Sequence, residues 1–175
     1  MGPLVDIRDL KVEATTDAGR RVEIIRGVSF EIAPGEIVAL IGESGSGKTT
    51  IALTLLGYTR TGCRITGGSV RVDGRDMAAL SEKERAKVRG VAVSYVPQSA
   101  AAAFNPAQRI MDQVIEITRI HELMPRAQAE AKAIDLFRAL SLPSPETIGG
   151  RYPHQVSGGQ LQRLSAAMAL IGDPK

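Results

Sequence analysis

The sequence predicts an α/β fold, and three observations predict it. Apolar and polar residues alternate loosely near the N-terminus, the period of strands. Glu36–Ile41 is then a largely apolar run of strand length, the mark of a strand buried on both faces, and it leads through a glycine-rich loop into a helical stretch. Beyond Ser81 the apolar spacing becomes mostly that of helices. The predicted arrangement is one domain over residues 1–175. Residues 1–98 form an antiparallel β subdomain with an α/β core, 99–157 a helical insertion, and 158–175 a final helix.

The elements follow in order. Leu4–Val12 alternates and reads as an edge strand, Thr15–Arg21 as a polar turn, and Val22–Ile32 as a second strand ended by the turn pair Pro34-Gly35. After the apolar run and the loop, a helix is expected from Thr49 to Leu56, closed by Gly57. Gly67–Arg75 reads as a hairpin turning at Asp73-Gly74. Ser81 with Glu84 three residues later is a capping box, and Gly90 ends that short helix. Val91–Val96 is a second buried-strand candidate. Ile110, Val114, Ile117 and Met124 mark one helix face, and Ile134, Phe137 and Leu140 another. Leu161, Leu164, Met168 and Ile171 line the last helix, which Gly172 and Pro174 close.

Composition narrows the function. Hydrophobic residues at 43% and charged residues at 23% exclude disorder, collagen and coiled coil. A net charge of +3, spread along the chain, and 3% aromatics without tryptophan argue against a nucleic-acid surface. The single cysteine, Cys63, cannot form an internal disulfide, which suits a reducing compartment. No apolar run approaches the roughly 18 residues that span a bilayer, and no basic-then-apolar leader opens the chain. The chain reads as soluble and cytoplasmic.

Gly42-Glu43-Ser44-Gly45-Ser46-Gly47-Lys48-Thr49 matches G-x-x-x-x-G-K-[ST] at every fixed position, between a strand candidate and a helix. Glycines at 42, 45 and 47 let the backbone take positive φ and turn its N–H groups toward phosphate oxygens. Lys48 supplies a point charge for the β and γ phosphates, and the Thr49 hydroxyl is placed to ligate Mg²⁺. The pattern is that of a P-loop NTPase core. The dinucleotide pattern G-x-G-x-x-G fails, because Lys48, Thr49 and Thr50 follow Gly45-Ser46-Gly47.

A phosphate loop alone leaves a second glycine motif unexplained. Val156-Ser157-Gly158-Gly159-Gln160 opens the last helix, with Ser157 as N-cap and two glycines leaving first-turn N–H groups uncovered for an anion. Taken together, the motifs resemble those of ATP-binding cassette (ABC) transporter ATPases. Gly42–Thr49 is similar to a Walker A loop, Val96-Pro97-Gln98 to the Q-loop, and Tyr152–Arg163 to the signature region, in the family's order and spacing. Phe104-Asn105-Pro106, Tyr152-Pro153-His154 and Gly42-Glu43-Ser44 most resemble the peptide/nickel-import subfamily.

The resemblance implies a P-loop (RecA-like) core with a helical ABC insertion, binding ATP and Mg²⁺. It implies a head-to-tail pair of nucleotide-binding domains with ATP between the Walker A loop of one and the signature helix of the other. The nucleotide contacts would be Gly42, Glu43, Ser44, Gly45, Ser46, Gly47, Lys48, Thr49 and Thr50, with Ser157, Gly158, Gly159 and Gln160 facing the partner's γ-phosphate. The metal contacts would be Thr49 and Gln98, with the Gln98 amide also meeting the attacking water as the catalytic contact. Partners would be a second nucleotide-binding domain, transmembrane permease subunits and, indirectly, a periplasmic solute-binding protein. The location would be the inner face of the cell membrane, and the cargo peptides or nickel.

Two departures stand out. The family's adenine-stacking aromatic falls at or beside Ala14, and no aromatic lies between Met1 and Arg26. Adenine contact then falls to an aliphatic side chain such as Val22 or Ile24. The motifs that follow the signature helix in the family, Walker B and the switch histidine, do not occur before Lys175, and His121 and His154 precede the switch position. The chain therefore reads as the first two-thirds of an ATPase domain, inactive in hydrolysis by itself. Two alternatives stay open: a non-transport ABC protein such as a carbon–phosphorus lyase subunit, and an ATP-binding module without turnover.

Overall fold

The computed structural model describes residues 2–175. The chain divides into two units, one running to Val93 and including Lys175, the other Ser94–Pro174.

The first unit is built on an antiparallel sheet of four strands in the order β2-β1-β3-β4. The strands are β1 (Val5–Thr15), β2 (Arg21–Ile32), β3 (Cys63–Val72) and β4 (Arg75–Asp76). β1 is an interior strand, not the edge its sequence suggests, because it pairs with β2 on one side and β3 on the other. Alternation reports which face a residue occupies and carries no information about lateral neighbours. The charges on its outer face are met by cross-strand partners, as in the Glu13–Arg64 ion pair at 3.0 Å. The hairpin turn at Asp73-Gly74 forms as expected, with Val72 opposite Arg75, but β3 starts earlier, at Cys63. Gly68 explains part of that strand's course. With φ near 81°, a Cβ there would lie 2.3 Å from the carbonyl oxygens of Arg8 and Asp9, so the strands cross at a distance only glycine permits.

One sheet face carries the core. Ile7, Leu10, Val12, Ile25, Val70 and Val72 are buried together with Ile51 of α1 (Lys48–Thr54) and Val88 of α2 (Glu82–Val88). α2 starts with the expected capping box: the Ser81 hydroxyl accepts from the Glu84 N–H and the Ser81 N–H donates to the Glu84 carboxylate at 2.8 Å. The Ser81 hydroxyl, bonded to that carboxylate, holds it below its ordinary titration range.

Two expected strands are absent. Glu36–Ile41 lies outside any ladder or helix, with Ile37 96% and Ile41 93% exposed. Val91–Val96 contributes only an isolated bridge, Arg89 to Val93, and Tyr95 and Val96 are exposed. An apolar run becomes a buried strand only when neighbouring strands supply hydrogen bonds on its flanks. Among the described residues no strand pairs with either run.

The second unit is helical: α3 (Ile110–Val114), α4 (Glu116–Ile120), α5 (Arg126–Ala139), α6 (Pro145–Ile148) and α7 (Gly158–Leu170). Single 3₁₀ turns occupy Ala100–Ala103 and Pro153–Gln155. α5 buries Ala129, Ala133 and Phe137 at four-residue spacing, and α7 buries Leu161, Leu164 and Ala167. These meet Phe104, Ile110, Val114, Ile148 and Ile171 in one cluster, which fixes the start of α7. Gln113, itself buried, ties the segment after the Q-loop down by accepting from the Asn105 N–H and donating to the carbonyls of Asn105 and Gln108.

Leu164 is wholly buried in this cluster. Leu164→Ala is expected to cost about 2–5 kcal/mol, read as a lowered urea midpoint. An unchanged midpoint would place Leu164 outside the core.

Candidate functional site

The glycine-rich loop is an exposed turn that ends on α1. Ser46 N–H donates to the Glu43 carbonyl at 3.2 Å, and Gly45 takes φ near 83°, which turns the chain back on itself. Gly47 has φ near 90°, and a Cβ on it would sit 2.4 Å from the Ile25 side-chain tip and 3.4 Å from the Ile24 carbonyl. Gly47 thus seats the loop directly on β2. Gly42 serves differently from the sequence expectation: its φ is not positive, and a Cβ there would instead meet the Ser46 hydroxyl at 2.8 Å. Gly42 is marked by close approach to Ser46 within the loop, not by a left-handed backbone.

Lys48 is held by the loop itself. Its ammonium donates to the carbonyls of Gly42 at 2.8 Å and Glu43 at 2.6 Å and lies 3.3 Å from the Ser46 hydroxyl. The loop is wrapped around a cation by its own weak dipoles. A polyphosphate arriving there replaces neutral carbonyl partners with charged oxygens, and charge-assisted bonds are the stronger kind. Lys48, Thr49 and Thr50 head α1, and their N–H groups have no backbone partner outside it among the described residues. Thr49 is exposed beside Lys48, its hydroxyl accessible to a phosphate-bound cation. Among the described residues no cluster of three or more His, Cys, Asp or Glu side chains exists to hold a metal alone. A divalent cation here would depend mainly on phosphate oxygens, which suits Mg²⁺ bound as a nucleotide complex.

The second glycine motif lies in the other unit. Ser157 caps α7: its hydroxyl accepts from the Gln160 N–H at 3.3 Å, and the Gln160 amide oxygen accepts from the Ser157 N–H at 3.0 Å. A Cβ at Gly158 or Gly159 would meet nothing within 4 Å. Among the described residues nothing crowds these two positions, and the space over the first turn is open. Gln98 is exposed, and Gln162 of α7 donates from its amide to the Pro97 carbonyl at 3.2 Å, tethering the Q-loop backbone to the signature helix. His154 stacks on Tyr152 with ring centroids 5.7 Å apart, and Arg109 lies over the Tyr152 ring.

Some of this was outside sequence reasoning. Ile24 and Ile25 emerge as the seat of the phosphate loop, although Ile25 reads only as a strand residue and Ile24 as a candidate adenine contact. Gln162 is a polar position on a helix whose tether to Pro97 has no sequence signal. The second unit also holds a cavity of about 940 Å³ lined by Arg109, Asp112, Ile115, Arg119, Leu123 and Tyr152, the last of which opens the signature region.

Gly47→Ala places a side chain in a left-handed conformation against Ile25. It is expected to destabilise the first unit by about 1–3 kcal/mol, measured by urea denaturation. Unchanged stability would show that the loop does not rest on β2.

Comparison with known proteins identifies the family. The ABC transporter family profile matches residues 25–175. The oligopeptide transport ATP-binding protein OppD of Mycobacterium tuberculosis is 34% identical over 99% of this chain and 28% of its own length. AppD of Bacillus subtilis, also an oligopeptide transport ATP-binding protein, is 34% identical over the whole chain and 53% of its own length. The peptidoglycan transport ATP-binding protein YejF of Agrobacterium fabrum is 38% identical over 99% of this chain and 32% of its own length. The chain therefore spans between about a quarter and a half of these relatives. Among solved structures, a dimeric ATP-binding cassette in a post-hydrolysis state bound to ADP and Pi superposes with a TM-score of 0.82 at 22% identity, over 97% of this chain and 70% of that one. That likeness shows the P-loop α/β cassette fold. The family profile, the relatives and a phosphate loop wrapped around Lys48 lead to one conclusion: this chain belongs to the ABC transporter family, as part of its ATP-binding cassette.

Proposed function

We propose that the chain is the nucleotide-binding part of an ATPase subunit of a peptide importer. The carrying observation is the loop Gly42–Thr49 closed around the Lys48 ammonium, a preformed site for polyphosphate. Backbone N–H groups of the loop and Lys48 hold the β and γ phosphates of ATP. The Thr49 hydroxyl ligates Mg²⁺, and Glu43, Ser44, Ser46 and Thr50 complete the cradle. Gln98, in the second unit, is assigned to the cation and the attacking water on its motif alone. The peptide-import names of OppD and AppD support the cargo class, with nickel as the subfamily's other option.

The signature helix serves a second subunit. Its first turn, with Ser157, Gly158, Gly159 and Gln160, presents open space and N–H groups to a phosphate held by another copy or a paralogue. ATP binding then draws two cassettes together, and the permease subunits that meet them at the membrane's inner face take up the motion. No helix among the described residues is long and apolar enough to cross a membrane. On this reading, domain borders at 98 and 157 separate phosphate-holding, coupling and partner-facing segments.

Lys48→Ala should weaken Mg·ATP binding by about 10- to 150-fold, corresponding to roughly 1.5–3 kcal/mol, in titration with a fluorescent ATP analogue. Equal affinity in the two proteins would overturn the assignment. Gly158→Asp tests the second half-site. Its carboxylate would face the partner's γ-phosphate, a like-charge contact costing several kcal/mol in the dimer. In the full-length protein trapped with non-hydrolysable ATP, sedimentation should show lost dimerisation with monomer affinity for ATP unchanged. Loss of monomer affinity with dimerisation intact would contradict the division of roles.

A further inference from the structure

Among the described residues, the chain leading into Gln98 has one hydrogen-bonded attachment. Residues 94–98 lie outside every helix and ladder, and Tyr95 and Val96 are exposed. The Pro97 carbonyl accepts from the Gln162 amide at 3.2 Å, and no other hydrogen bond reaches this segment. Gln162 stands on a fixed helix. Its neighbours Leu161 and Leu164 on α7 are buried in the helical core. The Arg163 guanidinium donates to the carbonyls of Leu140 and Ser141, at the end of α5, at 3.3 and 2.6 Å. α7 is thus held on its core side and at α5, and the segment before Gln98 hangs from it. Proline makes that one bond decisive. Its ring sets φ of residue 97 at about −65°, and it confines Val96 to extended backbone. The tether fixes the Pro97 carbonyl and with it ψ, so the planar peptide that carries the Gln98 N–H takes one orientation. Gln98 then keeps only its own torsions.

We propose that Gln162 is the positioning residue for Gln98: its amide holds the backbone from which the Gln98 side chain reaches the nucleotide's cation and the attacking water. The inference rests on the nucleotide reading above and deepens it by adding the group that holds Gln98. Gln162 is half-buried and lies four residues after Gly158, about one helical turn, so the helix that presents the signature motif also carries the tether. Among the described residues its side chain has no other hydrogen-bond partner. Position matters steeply for a group that acts on reacting atoms, since a displacement of about 1 Å can cost about 100-fold in rate. Without the donor, the Pro97 carbonyl turns about ψ, and residues 94–98 supply no second bond to stop it.

Gln162→Glu keeps the shape of the side chain and turns its donor into an acceptor, whereas Gln162→Lys keeps a donor. ATPase activity would be measured in the full-length subunit beside the urea midpoint. Gln162→Glu should lower kcat about tenfold and leave KM for ATP within about twofold, with the midpoint unmoved. Gln162→Lys should keep kcat within about threefold of the unmodified protein. A double-mutant cycle with Gln98→Ala separates positioning from packing. In that background Gln162→Glu should change kcat by less than about twofold, because the group it positions is gone. Unmodified kcat in Gln162→Glu overturns the inference, as do equal losses in Gln162→Glu and Gln162→Lys. A loss of about tenfold on top of that from Gln98→Ala overturns it too. Each of these results leaves Lys48-dependent hydrolysis, and so the nucleotide reading, standing. Unchanged kcat in Gln98→Ala overturns the Gln98 assignment and this inference with it. Hydrolysis indifferent to Lys48→Ala removes the nucleotide reading itself.

Discussion

The structure depends on the contact between Gly47 and Ile25. The loop that closes around Lys48 has almost no internal structure beyond one turn, so its shape is borrowed from the surface beneath it. That surface is the buried row Val12–Ile25, which in turn is held by Ile51 from the helix the loop begins. Strand, loop and helix thus fix one another, and the constraint admits no side chain at position 47. An ammonium held by carbonyls, beside unpartnered N–H groups at a helix start, follows from that seating.

The two glycine motifs solve different problems with the same residue. At Gly47 glycine is demanded by crowding and a left-handed backbone. At Gly158 and Gly159 a side chain would have met open space, and the helix beneath is already capped by Ser157 and Gln160. The first motif closes around the Lys48 ammonium within its own unit. The second leaves open space over a capped helix start among the described residues.

Much of this was legible in the sequence where chemistry forces residue identity. The Ser81 capping box, the Ser157 N-cap and the Asp73-Gly74 turn all depend on local backbone needs that few residues satisfy. The failures concern lateral pairing. Glu36–Ile41 has a buried strand's composition, but a strand exists only when flanking strands supply hydrogen bonds, and those partners are not encoded within six residues. Val91–Val96 fails for the same reason, and β1 was misplaced at an edge because its pattern records faces only. Gly42 was given a left-handed conformation, which it does not adopt; it lies against the Ser46 hydroxyl instead. The seat formed by Ile24 and Ile25 depends on a bulge that shifts the register of β2, which no spacing rule announces.

The central claim is that polyphosphate is received by the loop seated on β2. Amide chemical-shift mapping of the 18.6 kDa chain during titration with Mg·ATP tests it most directly. The account predicts that the largest shifts fall on the N–H groups of Gly42 through Thr49, followed by Ile24 and Ile25 beneath them. Shifts centred instead on the helical cavity around Ile115 and Tyr152, with the loop amides unmoved, would contradict it.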